Sequence, residues 1–138
     1  MSNKASAPRR PGSLANLGIG HVGLRVADLE KSTSFYRDIL GLSTGTRQRG
    51  VARIPSGPDL IVLHGKRYRT SDFHFGFHVD SPSRVDEWRI WFESMNVAIY
   101  QDVTEKDYRS IKIRDPDGYW IEITCDKRLV SKCTVRRK

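Results

Sequence analysis

The stretch GHVGLRV at 20–26 returns as FHFGFHV at 73–79, a His-x-Gly-apolar-x-Val pattern repeated 53 residues later. Apolar and other side chains alternate in both copies, which is the period of a strand with one face packed. After each copy a helix starts at the same offset. Asp28 and Ser81, each seven residues past its histidine, are good N-caps, and Pro82 sits where a helix accepts proline. Leu29, Phe35, Tyr36, Ile39 and Leu40 form the expected apolar stripe of the first helix, closed by Gly41. Val85, Trp88, Trp91, Phe92 and Met95 form that of the second, so Trp88 and Trp91 are assigned to the core.

Three strand-like runs follow each helix, near 42–48, 50–55 and 59–64 and near 97–103, 108–114 and 119–125. SGPD at 56–59 and DPDG at 115–118 supply turns. The chain therefore reads as α+β, with two tandem βαβββ modules, about 18–66 and 72–126, whose mixed sheet curls around a shared cup. One module has too small a sheet to bury both faces, so two side by side make a natural unit.

Alternation assigns the faces. Val22, Leu24 and Val26 turn toward the helices, leaving His21, Gly23 and Arg25 on the opposite face. Phe75, Phe77 and Val79 likewise oppose His74, Gly76 and His78. In the last strand Tyr119, Ile121 and Ile123 form the packed set, against Trp120, Glu122 and Thr124. One histidine from each module and one carboxylate converge on the concave side.

Charge and cysteine content narrow the classes. The net charge is +8, but nine of the 24 basic residues lie in 1–18 and 127–138, which hold no acid. The body keeps fifteen basic against sixteen acidic residues. Residues 1–17 are read as a disordered basic leader and 127–138 as a basic tail, with no specific nucleic-acid role. No apolar run approaches the roughly 20 residues needed to cross a bilayer. Cys125 and Cys133 form neither a disulfide framework nor a ligand pair, and a cytoplasmic location is expected.

These residues resemble the vicinal oxygen chelate superfamily, which includes glyoxalase I, extradiol ring-cleaving dioxygenases, fosfomycin-resistance enzymes and bleomycin-binding proteins. GHVGLRVADLEKSTSFYRDILGL, FHFGFHVDSP and DPDGYWIEI carry the likeness, over about residues 18–125. The resemblance implies a divalent metal held by His21, His74 and Glu122, with Fe(II) favoured and Mn(II), Ni(II) or Zn(II) as alternatives. It also implies a homodimer with sites at the interface, the first-module histidine of one chain meeting the second-module histidine and glutamate of the other.

Glyoxalase I has a fourth, carboxylate ligand. The most natural alignment sets Val62 opposite Glu122, although the spacings differ, 41 residues from His21 to Val62 and 48 from His74 to Glu122. His64, two positions on, is a candidate fourth ligand or substrate contact. The dioxygenases and fosfomycin-resistance transferases usually carry a tyrosine ten residues before the glutamate, where this chain has Lys112. Lys112 and His78 are the candidate acid–base groups, with Lys112 suited to an anion or a developing enolate. Arg25, His64, Tyr108 and Trp120 are assigned to substrate, and Arg47, Arg49 and Arg53 to an exposed strand face.

The favoured reading is an Fe(II) extradiol-type dioxygenase acting on a small, anionic, oxygen-chelating molecule. A glyoxalase-like lyase or isomerase, or a thiol transferase of the fosfomycin-resistance type, stands second. A metal-free drug- or metabolite-binding protein is third.

Overall fold

Strand β1 (His21–Arg25) leads into helix α1 (Leu29–Asp38), then β2 (Thr46–Gln48), β3 (Val51–Ser56) and β4 (Asp59–His64). The second module repeats the order with β5 (His74–His78), α2 (Pro82–Ser94), β6 (Gln101–Glu105), β7 (Tyr108–Arg114) and β8 (Trp120–Asp126). This is a computed structural model, and it describes residues 6–15, 17–67 and 73–128. The expected caps form. Asp28 accepts from the Lys31 amide at 3.0 Å and Ser81 from the Arg84 amide at 3.2 Å, each satisfying a first-turn N–H that has no partner inside the helix.

The eight strands form one sheet in the order β2-β3-β4-β1-β5-β8-β7-β6. The two modules meet at its centre, where β1 and β5 run antiparallel. Parallel pairs flank that seam, with Gly23 beside Val62 and Gly76 beside Glu122. Antiparallel pairs follow outward, with Arg53 beside Val62 and Lys112 beside Glu122. Gly23 and Gly76 are the same position of the repeat, so Val62 matches Glu122 and Arg53 matches Lys112. The alignment of Val62 with Glu122 from spacing alone is the one the register adopts.

The DPDG turn sets the start of β8. Asp115 Oδ1 accepts the amides of Asp117 and Tyr119, both at 2.9 Å, and its carbonyl accepts from Gly118 N at 3.0 Å. Gly118 takes φ +90°, a conformation that side chains beyond glycine resist.

Each module has its own core on the helical side of the sheet. Val85, Trp88 and Phe92 of α2 pack with Ile111, Ile113, Ile123 and Cys125. Ala52, Ile54 and Leu63 pack under α1 with Leu24, Leu29 and Tyr36. Two parts of the expected stripes lie outside. Phe35, Ile39 and Leu40 of the first and Met95 of the second are exposed, as is Tyr119 just before β8. The buried face of α1 runs instead through Leu29, Thr33 and Tyr36, and Thr33 can enter because its hydroxyl donates to the Leu29 carbonyl at 2.7 Å. A threonine in the middle of the stripe shifts the apparent face by one flank.

Leu14 and Leu17 pack against the α2-side core, and Arg84 Nη1 donates to the Pro11 carbonyl at 3.3 Å. These residues before position 18 are thus tied to the domain. Most of the basic tail, with Cys133, lies outside the described residues. No helix among the described residues is long and apolar enough to cross a membrane.

Candidate metal centre

His21 from β1, His74 from β5 and Glu122 from β8 bring their ligand atoms within 4.8 Å of one another on the concave face. All three residues are buried, at 6 %, 3 % and 4 % exposure. Glu122 Oε2 is the point of convergence, 3.0 Å from His21 Nε2 and 3.3 Å from His74 Nε2. Two donors about 2.1 Å from one ion and at right angles to each other stand about 3 Å apart. Two imidazoles and one carboxylate with this spacing fit a divalent cation and leave coordination positions for a substrate.

The repeat's glycines explain how two bulky rings share so small a space. In the antiparallel seam His21 lies beside Gly76, and Gly23 beside His74. A Cβ on Gly76 would stand 2.2 Å from His21 Cε1, and one on Gly23 would stand 2.0 Å from His74 Cε1. Each module's glycine makes room for the other module's histidine. The sequence pattern puts glycine next to histidine, but the room it provides is across the seam.

A second ring of side chains orients the ligands. Tyr108 Oη donates to Glu122 Oε1 at 2.6 Å, and Ser110 Oγ donates to the same oxygen at 2.5 Å. That occupies Oε1 and leaves Oε2 for the histidines and an ion. His21 Nδ1 lies 2.8 Å from His78 Nε2. For Nε2 of His21 to offer a lone pair to a metal, its proton must sit on Nδ1, where His78 accepts it. The His78 ring is itself seated over Gly20, whose Cβ would meet it at 2.5 Å.

The electrostatics favour a bound cation. Burial alone would raise the Glu122 carboxyl, but hydrogen bonds with His21 and His74, then the charge of His21 and of Lys112, hold it well below the usual carboxylate range. Burial, then the Glu122 charge, pushes the Tyr108 phenol up, so it stays a donor. Burial, aided by His74 and Lys112, lowers His64 to about 4, leaving it a neutral ring. The cavity over this centre, about 230 Å³, is lined among others by Arg53, His64, His78, Tyr108 and Lys112.

Several expected roles change. Arg25 is exposed and does not line the cavity. Trp120 also stands outside it, with the Arg114 guanidinium 4.0 Å from its ring centroid and Tyr100 edge-on at 5.5 Å. Tyr108 lines the cavity, yet its hydroxyl is committed to Glu122. His64 is not in the ligand cluster, although its ring lies 5.8 Å from that of His74. Arg53, expected on an exposed face, lines the cup, because its neighbours Ala52 and Ile54 both point into the core. Ser110 lines the cup on the same strand as Lys112, and nothing in the sequence marks its bond to Glu122. Within the chain described, β1 pairs with β5 and brings the three residues together.

Comparison with known proteins identifies relatives of the chain. The metallothiol transferase FosB of Staphylococcus saprophyticus is 31% identical over 113 residues, covering 76% of this chain and 74% of that protein. A glyoxalase/bleomycin resistance protein/dioxygenase superfamily member from Vibrio splendidus superposes with TM-score 0.60 at 19% identity, over 76% of this chain and 96% of the other. Homoprotocatechuate 2,3-dioxygenase from Brevibacterium fuscum gives 0.62 at 21% identity, over 85% of this chain but 40% of that larger one. Such distant structures share the fold. Residues 18–123 match the family profile itself, and the chain belongs to the Glyoxalase/Bleomycin resistance protein/Dioxygenase superfamily.

Proposed function

We propose that this protein is a divalent-metal-dependent transferase that joins a thiol to a small, anionic, oxygen-bearing electrophile. The observation that carries the reading is the similarity to metallothiol transferases over three-quarters of the chain. It replaces the ring-cleaving dioxygenase as the leading reading, since the dioxygenase likeness is one of fold.

The register gives independent support. Val62 occupies the repeat position of Glu122, so the centre offers three ligands and lacks the additional carboxylate of a glyoxalase-type isomerase. Cys125, the cysteine among the described residues, is buried in the α2-side core, and burial pushes its thiol up. In this reading the nucleophile is a separate small thiol.

His21, His74 and Glu122 hold the metal in this reading, and the metal supplies a Lewis acid to the electrophile's oxygen. Tyr108 and Ser110 hold Glu122, and His78 holds the tautomer of His21. Lys112 places a positive charge beside the substrate. The thiol sulfur bonds to carbon, the carbon–oxygen bond breaks with its electron pair going to oxygen, and that oxygen takes up the proton the thiol gives.

The test is mass spectrometry of the products formed by the metal-loaded chain with cysteine or glutathione and a panel of anionic epoxides that includes fosfomycin. A product equal in mass to thiol plus epoxide, dependent on metal and indifferent to oxygen, is expected. Oxygen consumption with catechols and no thiol adduct would return the dioxygenase reading. Ligand binding without turnover and unaffected by chelators would make the protein a binder.

A further inference from the structure

Arg53 and Lys112 are two cations that line the cup. They form no hydrogen bond or ion pair with another described side chain, although other arginines of the domain are bonded to carboxylates. Both are half-buried. A partly desolvated cation with no carboxylate in direct contact costs free energy that a bound anion returns.

Their placement is related by the internal repeat. Arg53 is paired with Val62 on β4, and Lys112 with Glu122 on β8. Val62 and Glu122 are in turn paired with the equivalent glycines Gly23 and Gly76. The two cations therefore stand at the same position of the two modules, on opposite flanks of the seam that carries the histidines. Their fields overlap within the cup, for both bear on His64.

From this we infer that Arg53 and Lys112 together form a two-point seat for one oxyanionic group of the substrate, beside the metal ligands. The inference rests on the cup being the substrate site, and it adds a residue from the first module to a role the sequence placed on Lys112 alone. Arg53 presents a planar fork able to bind two oxygens, and Lys112 a point charge that takes a third. A substrate held from both flanks has its reacting oxygen aimed at the ligand cluster between them.

The experiment is calorimetric titration of the metal-free full chain with inorganic phosphate and, separately, with acetate, at fixed ionic strength. Wild type is expected to bind one oxyanion per chain, and whichever probe binds more tightly identifies the group the seat takes. Arg53→Gln and Lys112→Gln should each weaken binding by about tenfold or more, as removal of a charged hydrogen-bonding partner does. Arg53→Lys, which keeps the charge and loses the fork, should fall between and guards against a misfolded glutamine variant. Arg47→Gln, an exposed arginine paired with Glu30, should bind as wild type does.

Binding unchanged in Arg53→Gln or in Arg53→Lys would overturn the two-point seat, as would failure of the wild type to bind either anion. These readouts need neither metal nor thiol. Loss of the seat with thiol transfer intact would leave the proposed reaction standing, and anion binding without thiol transfer would leave the seat standing.

Discussion

At the scale of the residue, Glu122 divides its two oxygens between tasks. Oε1 takes both hydroxyls, and Oε2 meets both imidazoles. Tyr108→Phe removes one of the two bonds that fix the carboxylate's rotation, at nearly constant volume. Metal affinity should fall by about tenfold, within the range seen when partners of metal ligands are removed. Titration with Mn(II) or Zn(II), with circular dichroism to check the fold, measures this, and an unchanged affinity would show that Ser110 suffices. That His21, His74 and Glu122 face one cup was legible from duplication and strand alternation, while the role of metal ligand came from the family resemblance. The bonds from Tyr108 and Ser110 were not, since they depend on how β7 slides along β8. Arg53 could have been found from its own alternation with Ala52 and Ile54. It was hidden by the company of Arg47 and Arg49, which sit at the exposed edge of the sheet.

At the scale of the element, the seam between β1 and β5 decides whether a site exists. The order of elements along the chain, both helix starts and all six later strands could be read from periodicity and turn chemistry, to within about four residues. What could not be read was the pairing of the seam, because period-two patterns give facing and not register. That pairing makes a sharp prediction. Gly23→Ala places a methyl group 2.0 Å from His74 Cε1, in the other module, so His74 must leave its position. Metal binding should weaken by at least about tenfold, as for a misplaced ligand. The metal-free protein should keep the circular dichroism of the wild type. A Gly23→Ala protein with wild-type metal affinity would mean that the ring has another seat. On α1, the exposed Phe35, Ile39 and Leu40 show the opposite limit. An apolar stripe gives a helix its period, but a neighbouring threonine with its hydroxyl satisfied can rotate the buried face.

At the scale of the molecule, the ligands come from both modules, so a bound ion fastens one half to the other. A ligand that binds only the folded state stabilises it by RT ln(1 + [L]/Kd), about 2.7 kcal/mol at a hundredfold excess over Kd. For a domain of this size that is a rise of several degrees in Tm. Melting followed across a metal titration should show Tm climbing with the logarithm of free metal. Glu122→Gln should flatten that rise, and a wild-type Tm indifferent to metal would argue against binding across the seam.

The match between modules is incomplete at one position, where Val62 stands for Glu122. Walls related by a half-turn, if identical, would hold a guest equally well turned end for end, and the two poses would be indistinguishable. Here one side carries the acid and an amine, and the other an aliphatic side chain and a guanidinium. The two ends of the cup therefore differ. A fold born of symmetry has in this way acquired a direction, and a guest with unlike ends should enter it one way round.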